Sequence, residues 1–169
     1  MGTLIHEDLS KEIIGAAMTV LNELKPGLDE KLYERALVIE LRERGRKVSQ
    51  QTRFTVFFKE HDIGTLIPDL IVDELVIVDT KVATTFNESH IAQMTGYLSH
   101  TGLRLGLLLN FPCRRQVRLW WKACQTAMET HRKLTLHIRE ISAIRGCPRK
   151  ALIHRVLQVR HGALVNNSG

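Results

Sequence analysis

Pro68-Asp69 and, after nine intervening residues, Asp79-Thr80-Lys81 are the residues best equipped for chemistry. Asp69 is expected to begin one strand and Asp79 to lie late in the next. If these strands pair through a tight Asp73-Glu74 turn, both carboxylates reach the same end of a sheet. Asp79 and Lys81 are two apart and share a face, while Thr80 points the other way. Two carboxylates and an ammonium at one point suit phosphoryl chemistry. Hard oxygen ligands hold Mg²⁺ or Mn²⁺. Such an ion lowers the pKa of a water and polarises a phosphoryl oxygen. Lys81 can orient that water or stabilise charge developing on the phosphate. The plainer alternative is a hairpin with a surface Asp–Lys pair. Against it, Asp79 directly follows the apolar Val76-Ile77-Val78. A charge there is costly unless it is paired or binds a metal.

Two further clusters stand out. In Gly27-Leu28-Asp29-Glu30-Lys31-Leu32-Tyr33, helical spacing puts Glu30, Tyr33 and Leu37 on one face. Glu30 can serve the helix dipole, or point into the site as another metal ligand. In the second cluster, His90, Gln93 and Tyr97 follow one another at about one helical turn. They could contact phosphate or steady Lys81, or simply form the solvent face of an amphipathic helix. Trp120-Trp121 could stack bases, although core packing explains them as well. His61, His131, His137, His154 and His161 show no metal-ligand spacing. No GxxxxGK[ST], GxGxxG or GxSxG motif is present.

These side chains need elements to position them. Leu9, Ile13, Ala17, Val20, Leu21 and Leu24 give a helix over 9–24, with Asp8 or Ser10 as cap and Lys25-Pro26-Gly27 as stop. A second helix is expected from Asp29 to Arg44, closed by Gly45. An extended run then covers 48–58, where Phe57 breaks strict alternation. A return strand at 63–67 and strands at 69–72 and 75–82 follow. Asn87 opens a helix to about His100, and Leu103–Asn110 reads as a buried strand. The order to Phe111 is α-α-β-β-β-β-α-β, an α/β fold with a mixed central sheet flanked by helices. Beyond it, 117–121 reads as an edge strand, 122–144 and 151–159 as helices.

Composition sets the frame. The chain has 169 residues and 44% hydrophobic content, enough for a buried core. No apolar run is long enough to span a bilayer. Met1–Ser10 lacks a signal pattern, so a cytoplasmic chain without a membrane partner is expected. Cys113, Cys124 and Cys147 are an odd count without CxxC spacing, which argues against a disulfide framework or zinc. Residues 1–111 carry 12 Lys+Arg against 16 Asp+Glu, a net −4; residues 112–169 carry 12 against two, a net +10. A basic C-terminal segment suggests nucleic acid as partner, or else a solvated basic helix.

Gly27-x-x-Glu30-x-x-Tyr33 matches the signature of the GxxExxY proteins, a branch of the PD-(D/E)xK nuclease superfamily. Pro68-Asp69 with Asp79-Thr80-Lys81 resembles the superfamily motif itself. Gln93-x-x-x-Tyr97 resembles the additional motif of its RecB-like and Cas4-like exonucleases. The resemblance runs from about Leu9 to Trp121. It implies a restriction-endonuclease-like core that hydrolyses phosphodiester bonds, DNA before RNA, with Mg²⁺ or Mn²⁺. Glu30, Asp69 and Asp79 would surround the metal, Lys81 would be the catalytic lysine, and Gln93, Tyr97, His90 and Tyr33 would support the site or bind phosphate. The chain departs from the GxxExxY pattern at Asp79, where Glu is usual. From Lys122 onward nothing matches.

The expected organisation is therefore a nuclease-like domain over 1–121 and a basic, mainly helical, partly flexible extension over 122–169. Arg114, Arg115, Arg118 and Lys122 are candidate nucleic-acid contacts. The oligomeric state stays open, a homodimer included. The alternative is a catalytically silent protein on the same fold that binds nucleic acid or another partner.

Overall fold

The computed structural model describes residues 5–111, 118–129, 133–144 and 155–159. Two helices come first, α1 (Glu7–Leu24) and α2 (Glu30–Glu43). Strands β1 (Val48–Gln50), β2 (Phe54–Phe58), β3 (His61–Leu66), β4 (Leu70–Val72) and β5 (Val76–Lys81) follow, then α3 (Glu88–Thr101), β6 (Leu105–Asn110), β7 (Arg118–Glu129), β8 (Lys133–Ile144) and β9 (Arg155–Val159). Seven strands form one sheet in the order β1-β4-β5-β6-β7-β8-β9, while β2 and β3 form a separate two-stranded ribbon. The pair β5–β6 is parallel, with α3 as its crossover, and every other pair is antiparallel.

The sheet has two covered faces. On one, Val76, Val78, Leu105, Leu107, Leu109, Trp121 and Ala123 pack against the apolar stripes of α1 and α2. On the other, Ile71, Ile77, Leu108 and Cys124 pack against Met94, Tyr97 and Leu98 of α3. This double cover explains why β5 and β6 are apolar runs rather than alternating ones. Asp79 belongs to the α3 face, as its odd-numbered neighbours Ile77 and Lys81 do.

Several expectations are corrected. The run 48–58 splits at Gln51, whose φ of 50° ends β1, and its halves join different sheets. The first helix starts after His6, which makes no side-chain cap, so neither Asp8 nor Ser10 caps it. The helix expected over 122–144 is two long strands. Residues 123, 127, 134, 138 and 141 do recur at helical spacing. Yet Leu119, Trp121 and Ala123, and again Leu134, Leu136 and Ile138, also fit a period of two. The edge of the fully buried β6 decides between them, because its backbone groups need a partner away from water. β7 supplies it over Leu105–Asn110. Of the edge strand expected at 117–121, Val117 lies outside the described residues and 118–121 belong to β7, which is interior and runs across residue 121. The last expected helix, 151–159, is strand β9 from Arg155; its first four residues lie outside the described ones. Among the described residues no helix is long and apolar enough to cross a membrane.

Candidate active site

The turn between β4 and β5 fixes the two strand acids. Asp73 and Glu74 both take positive φ, 51° and 59°, and Leu75 N donates to Val72 O at 3.0 Å. Two left-handed residues in a row match the twist of a hairpin. Asp73 is held in that conformation from outside. Its Oδ1 accepts from Lys47 N at 2.9 Å and its Oδ2 from Arg46 at 3.1 Å. The resulting register pairs Leu70 with Val78, so Asp69, one residue before β4, lies across from Asp79. The backbone of Asp69 is pinned on its other side by Gln51 N, which donates to Asp69 O at 2.9 Å.

Asp79 is 1% exposed. Lys81 Nζ donates to its Oδ1 at 2.7 Å, and Lys81 Nζ also lies 3.9 Å from Glu30 Oε1. The other oxygen, Asp79 Oδ2, is buried with no hydrogen-bond partner. Burial, and then the nearby Asp69 carboxyl, push Asp79 up to about 7, although Lys81 pulls the other way. Burial by itself would lower the Lys81 ammonium. Contact with Asp79 and the charges of Glu30 and Asp69 outweigh it, and Lys81 stays above its ordinary value.

Glu30 arrives from the opposite face of the sheet, and Tyr33 explains how. Tyr33 is fully buried and stacks on Phe111 at 4.4 Å between centroids. Its hydroxyl donates to Lys25 O at 2.6 Å and accepts from Leu28 N at 3.3 Å. Gly27, at φ 110°, lets the chain turn there. Tyr33 thus braces the loop that presents Glu30 and is not positioned to touch phosphate.

Gln93 and Tyr97 are brought together on α3. Gln93 Nε2 donates to the Tyr97 hydroxyl at 2.9 Å, and that hydroxyl donates to Ile67 O at 3.3 Å. The pair ties α3 to the backbone two residues before Asp69. Burial first, and then the Asp79 and Asp69 charges, raise the Tyr97 phenol, against Gln93 and Lys81. His90 caps α3: its Nδ1 accepts from Asn87 N at 3.4 Å, while Asn87 accepts from His90 N at 3.0 Å. Partial burial and the charge of Lys81 lower it, against the pull of Glu30.

Three residues near the site were missed in the sequence. Glu34 is 3% exposed and accepts from Lys31 Nζ at 2.6 Å. Lys31 Nζ also lies 3.6 Å from Asp69 Oδ1. The available signal was Glu34 one turn after Glu30 on the same helix. The third is Asn110, fully buried and paired with Lys81 in register. Its amide donates to Ala83 O at 2.8 Å and accepts from Ala83 N at 2.9 Å, which fixes the chain just past Lys81.

Of the basic candidates, Arg114 and Arg115 lie outside the described residues and Arg118 heads β7. Lys122 is not on a solvated tail. It is 8% exposed, with its Nζ 5.8 Å from the Phe86 ring centroid. Register places it in one row with Leu108 and Asp79. Of the cysteines, Cys124 is described; it is buried and free, its thiol pushed up to about 12 by burial.

Among the described residues no three His, Cys, Asp or Glu side chains converge as a ready cage for a metal. The fit to a divalent cation rests on fewer donors: two facing carboxylates and a buried, unpartnered Asp79 Oδ2. Mg²⁺ keeps several waters and is usually held by one or two carboxylates, so this donor set fits it. A family model described as the PD-(D/E)XK nuclease superfamily matches residues 7–124. No curated protein and no solved structure matches the chain.

Proposed function

The chain belongs to the PD-(D/E)XK nuclease superfamily, and on that premise we propose that it is a metal-dependent nuclease of the GxxExxY branch. Its substrate is a nucleic acid, with DNA the first to test. One observation carries the reading. Two strand carboxylates face each other across a hairpin, and one of them has a lysine on one oxygen and nothing on the other. That asymmetry leaves Asp79 Oδ2 and Asp69 to hold a divalent cation, with Glu30 within reach of Lys81. When bound, the cation supplies Lewis acidity to the water and the phosphoryl oxygen.

The chain's own residues do the rest. Lys81, cationic and anchored on Asp79 Oδ1, is held where it can orient the attacking water or offset negative charge growing on the phosphate. Gln93 and Tyr97 hold the approach to Asp69. Asn110 holds the chain that follows Lys81. Lys31, between Glu34 and Asp69, gives the acids a second cation besides Lys81.

The test incubates the protein with supercoiled plasmid and with linear single- and double-stranded DNA, under Mg²⁺, Mn²⁺ or EDTA. Cleavage is expected with metal, absent in EDTA, and reduced at least about 100-fold in Lys81→Ala and Asp79→Ala. Cleavage that survives both substitutions would remove this site from the reaction. No cleavage of any substrate, with binding retained in EDTA, would favour the silent binding protein.

A further inference from the structure

We propose that the β2–β3 ribbon is a finger on which the bases of a single nucleic-acid strand stack as the strand enters the carboxylate site. The proposal rests on the nuclease reading for its direction, while the stacking surface stands on the ribbon itself.

The ribbon does more than close the fold. Its root packs on the body, with Phe54 and Leu66 against the α3-side core. Beyond that root, Phe57, Phe58 and Ile63 are 65%, 60% and 62% exposed. Phe57 and Phe58 are successive residues of β2 and project from opposite faces of the ribbon, so each face carries one exposed aromatic ring near the tip. The display is built by a bulge. Val56 faces Gly64 and Phe57 faces Asp62, so Ile63 has no partner across the ribbon. Asp62 Oδ1 accepts from Gly64 N at 2.9 Å and fixes it there. The tip turn places Lys59 and Glu60 at φ 47° and 68°, where glycine or asparagine would be easier. Lys59 Nζ then lies 5.5 Å from the Phe58 ring centroid. An aromatic face beside a cation suits a base with its phosphate.

The position selects the occupant. β3 runs through Ile67 and Pro68 straight to Asp69, and the Tyr97 hydroxyl donates to Ile67 O at the ribbon's root. The ribbon therefore leaves the body on the α3 side, the side of Asp79 and Lys81. From Asp62 to Asp69 the extended chain spans at most about 23 Å. That is about seven nucleotides at the stacked spacing of about 3.4 Å. A strand lying along the ribbon would reach the acids.

The experiment compares the full-length protein with Phe57→Ala/Phe58→Ala, in EDTA, on single-stranded oligonucleotides carrying 2-aminopurine. Lengths of four and sixteen nucleotides are used, and melting temperature is followed throughout. Wild type is expected to quench 2-aminopurine in the sixteen-mer. The variant is expected to bind it at least about 10-fold more weakly and to lose the quench at an unchanged melting temperature. Phe58→Trp should keep both binding and quench. With Mg²⁺, cleavage of the four-mer should be the same in wild type and the double variant. Equal binding and quenching by the two proteins would overturn the finger, as would failure of wild type to bind the sixteen-mer. A wild-type dimer that becomes monomeric in the variant with DNA binding unchanged would instead make the ribbon a contact between copies. Metal-dependent cleavage without stacking removes the finger and leaves the nuclease; stacking without cleavage under any metal does the reverse.

Discussion

Asp79 is the residue whose charge the fold tolerates least. Folded, it takes up its proton at about 7; an unfolded aspartate does so at about 3.9. Between those values the folded chain holds the extra proton, so this group's contribution to stability falls as pH rises through the window. The difference in melting temperature between wild type and Asp79→Asn, in EDTA, isolates it. That difference should move against wild type from about pH 4 to about pH 7 and level off above. A trend in the opposite direction would mean that the folded protein stabilises the carboxylate. Lys81 sets the other half of the balance. Lys81→Met removes the cation that eases Asp79's ionisation, so the variant's Asp79 keeps its proton to higher pH, and the substitution should cost about 1 kcal/mol more at pH 8 than at pH 5. The loss should shrink at pH 5, where Asp79 is protonated. Denaturant unfolding at the two pH values reads it, and equal losses would show that the pair is not coupled.

α3 ties into the site through the Gln93–Tyr97 link to Ile67, and its seat on β6 is tight. A Cβ at Gly106 would lie 2.2 Å from Met94 Sδ and 2.8 Å from its Cγ. The whole methionine side chain must move, so Gly106→Ala should destabilise by about 1–3 kcal/mol. It should also slacken the Gln93–Tyr97–Ile67 link. Unfolding and activity measured together separate the two effects: a stability loss with unchanged kcat would place α3's role in packing alone. Much at this scale was legible in the sequence. The strand acids and Lys81 depend on a period of two and a local turn, and both are written in adjacent residues. Spacing left Glu30 open between a dipole role and a ligand role and the motif decided it, because the bracing of Tyr33 needs Phe111, just past the distant β6. Glu34 and Lys31 were hidden, since an i, i+4 carboxylate on a helix usually means solvent. The strands β7 and β8 were misread because their apolar residues fit two periods, and the open edge of β6 that decides between them is a tertiary fact.

Across the whole molecule, residues 112–169 carry a net +10, and their described strands β7, β8 and β9 extend the sheet past β6. If these charges meet phosphates, log binding constant against log salt should fall by about 0.9 per phosphate neutralised on duplex DNA. Truncation at residue 121 is the wrong test, as it cuts β7 and bares the edge of β6. Truncation after Ile144 keeps β7 and β8 while removing five Lys+Arg and no acid. That protein should fold, bind more weakly and show a shallower slope. An unchanged slope would assign the salt dependence to residues upstream.

The hairpin that sets Asp69 against Asp79 also has a kinetic meaning. These acids are ten residues apart in sequence, whereas Lys81 and Glu30 are 51 apart. Closing the longer loop costs about 1.4 kcal/mol more entropy. The segment 69–81 can therefore assemble while α2 is still searching for its place. In a refolding chain the strand acids meet first and the helix acid joins last, so a cation present during folding encounters half a site before a whole one.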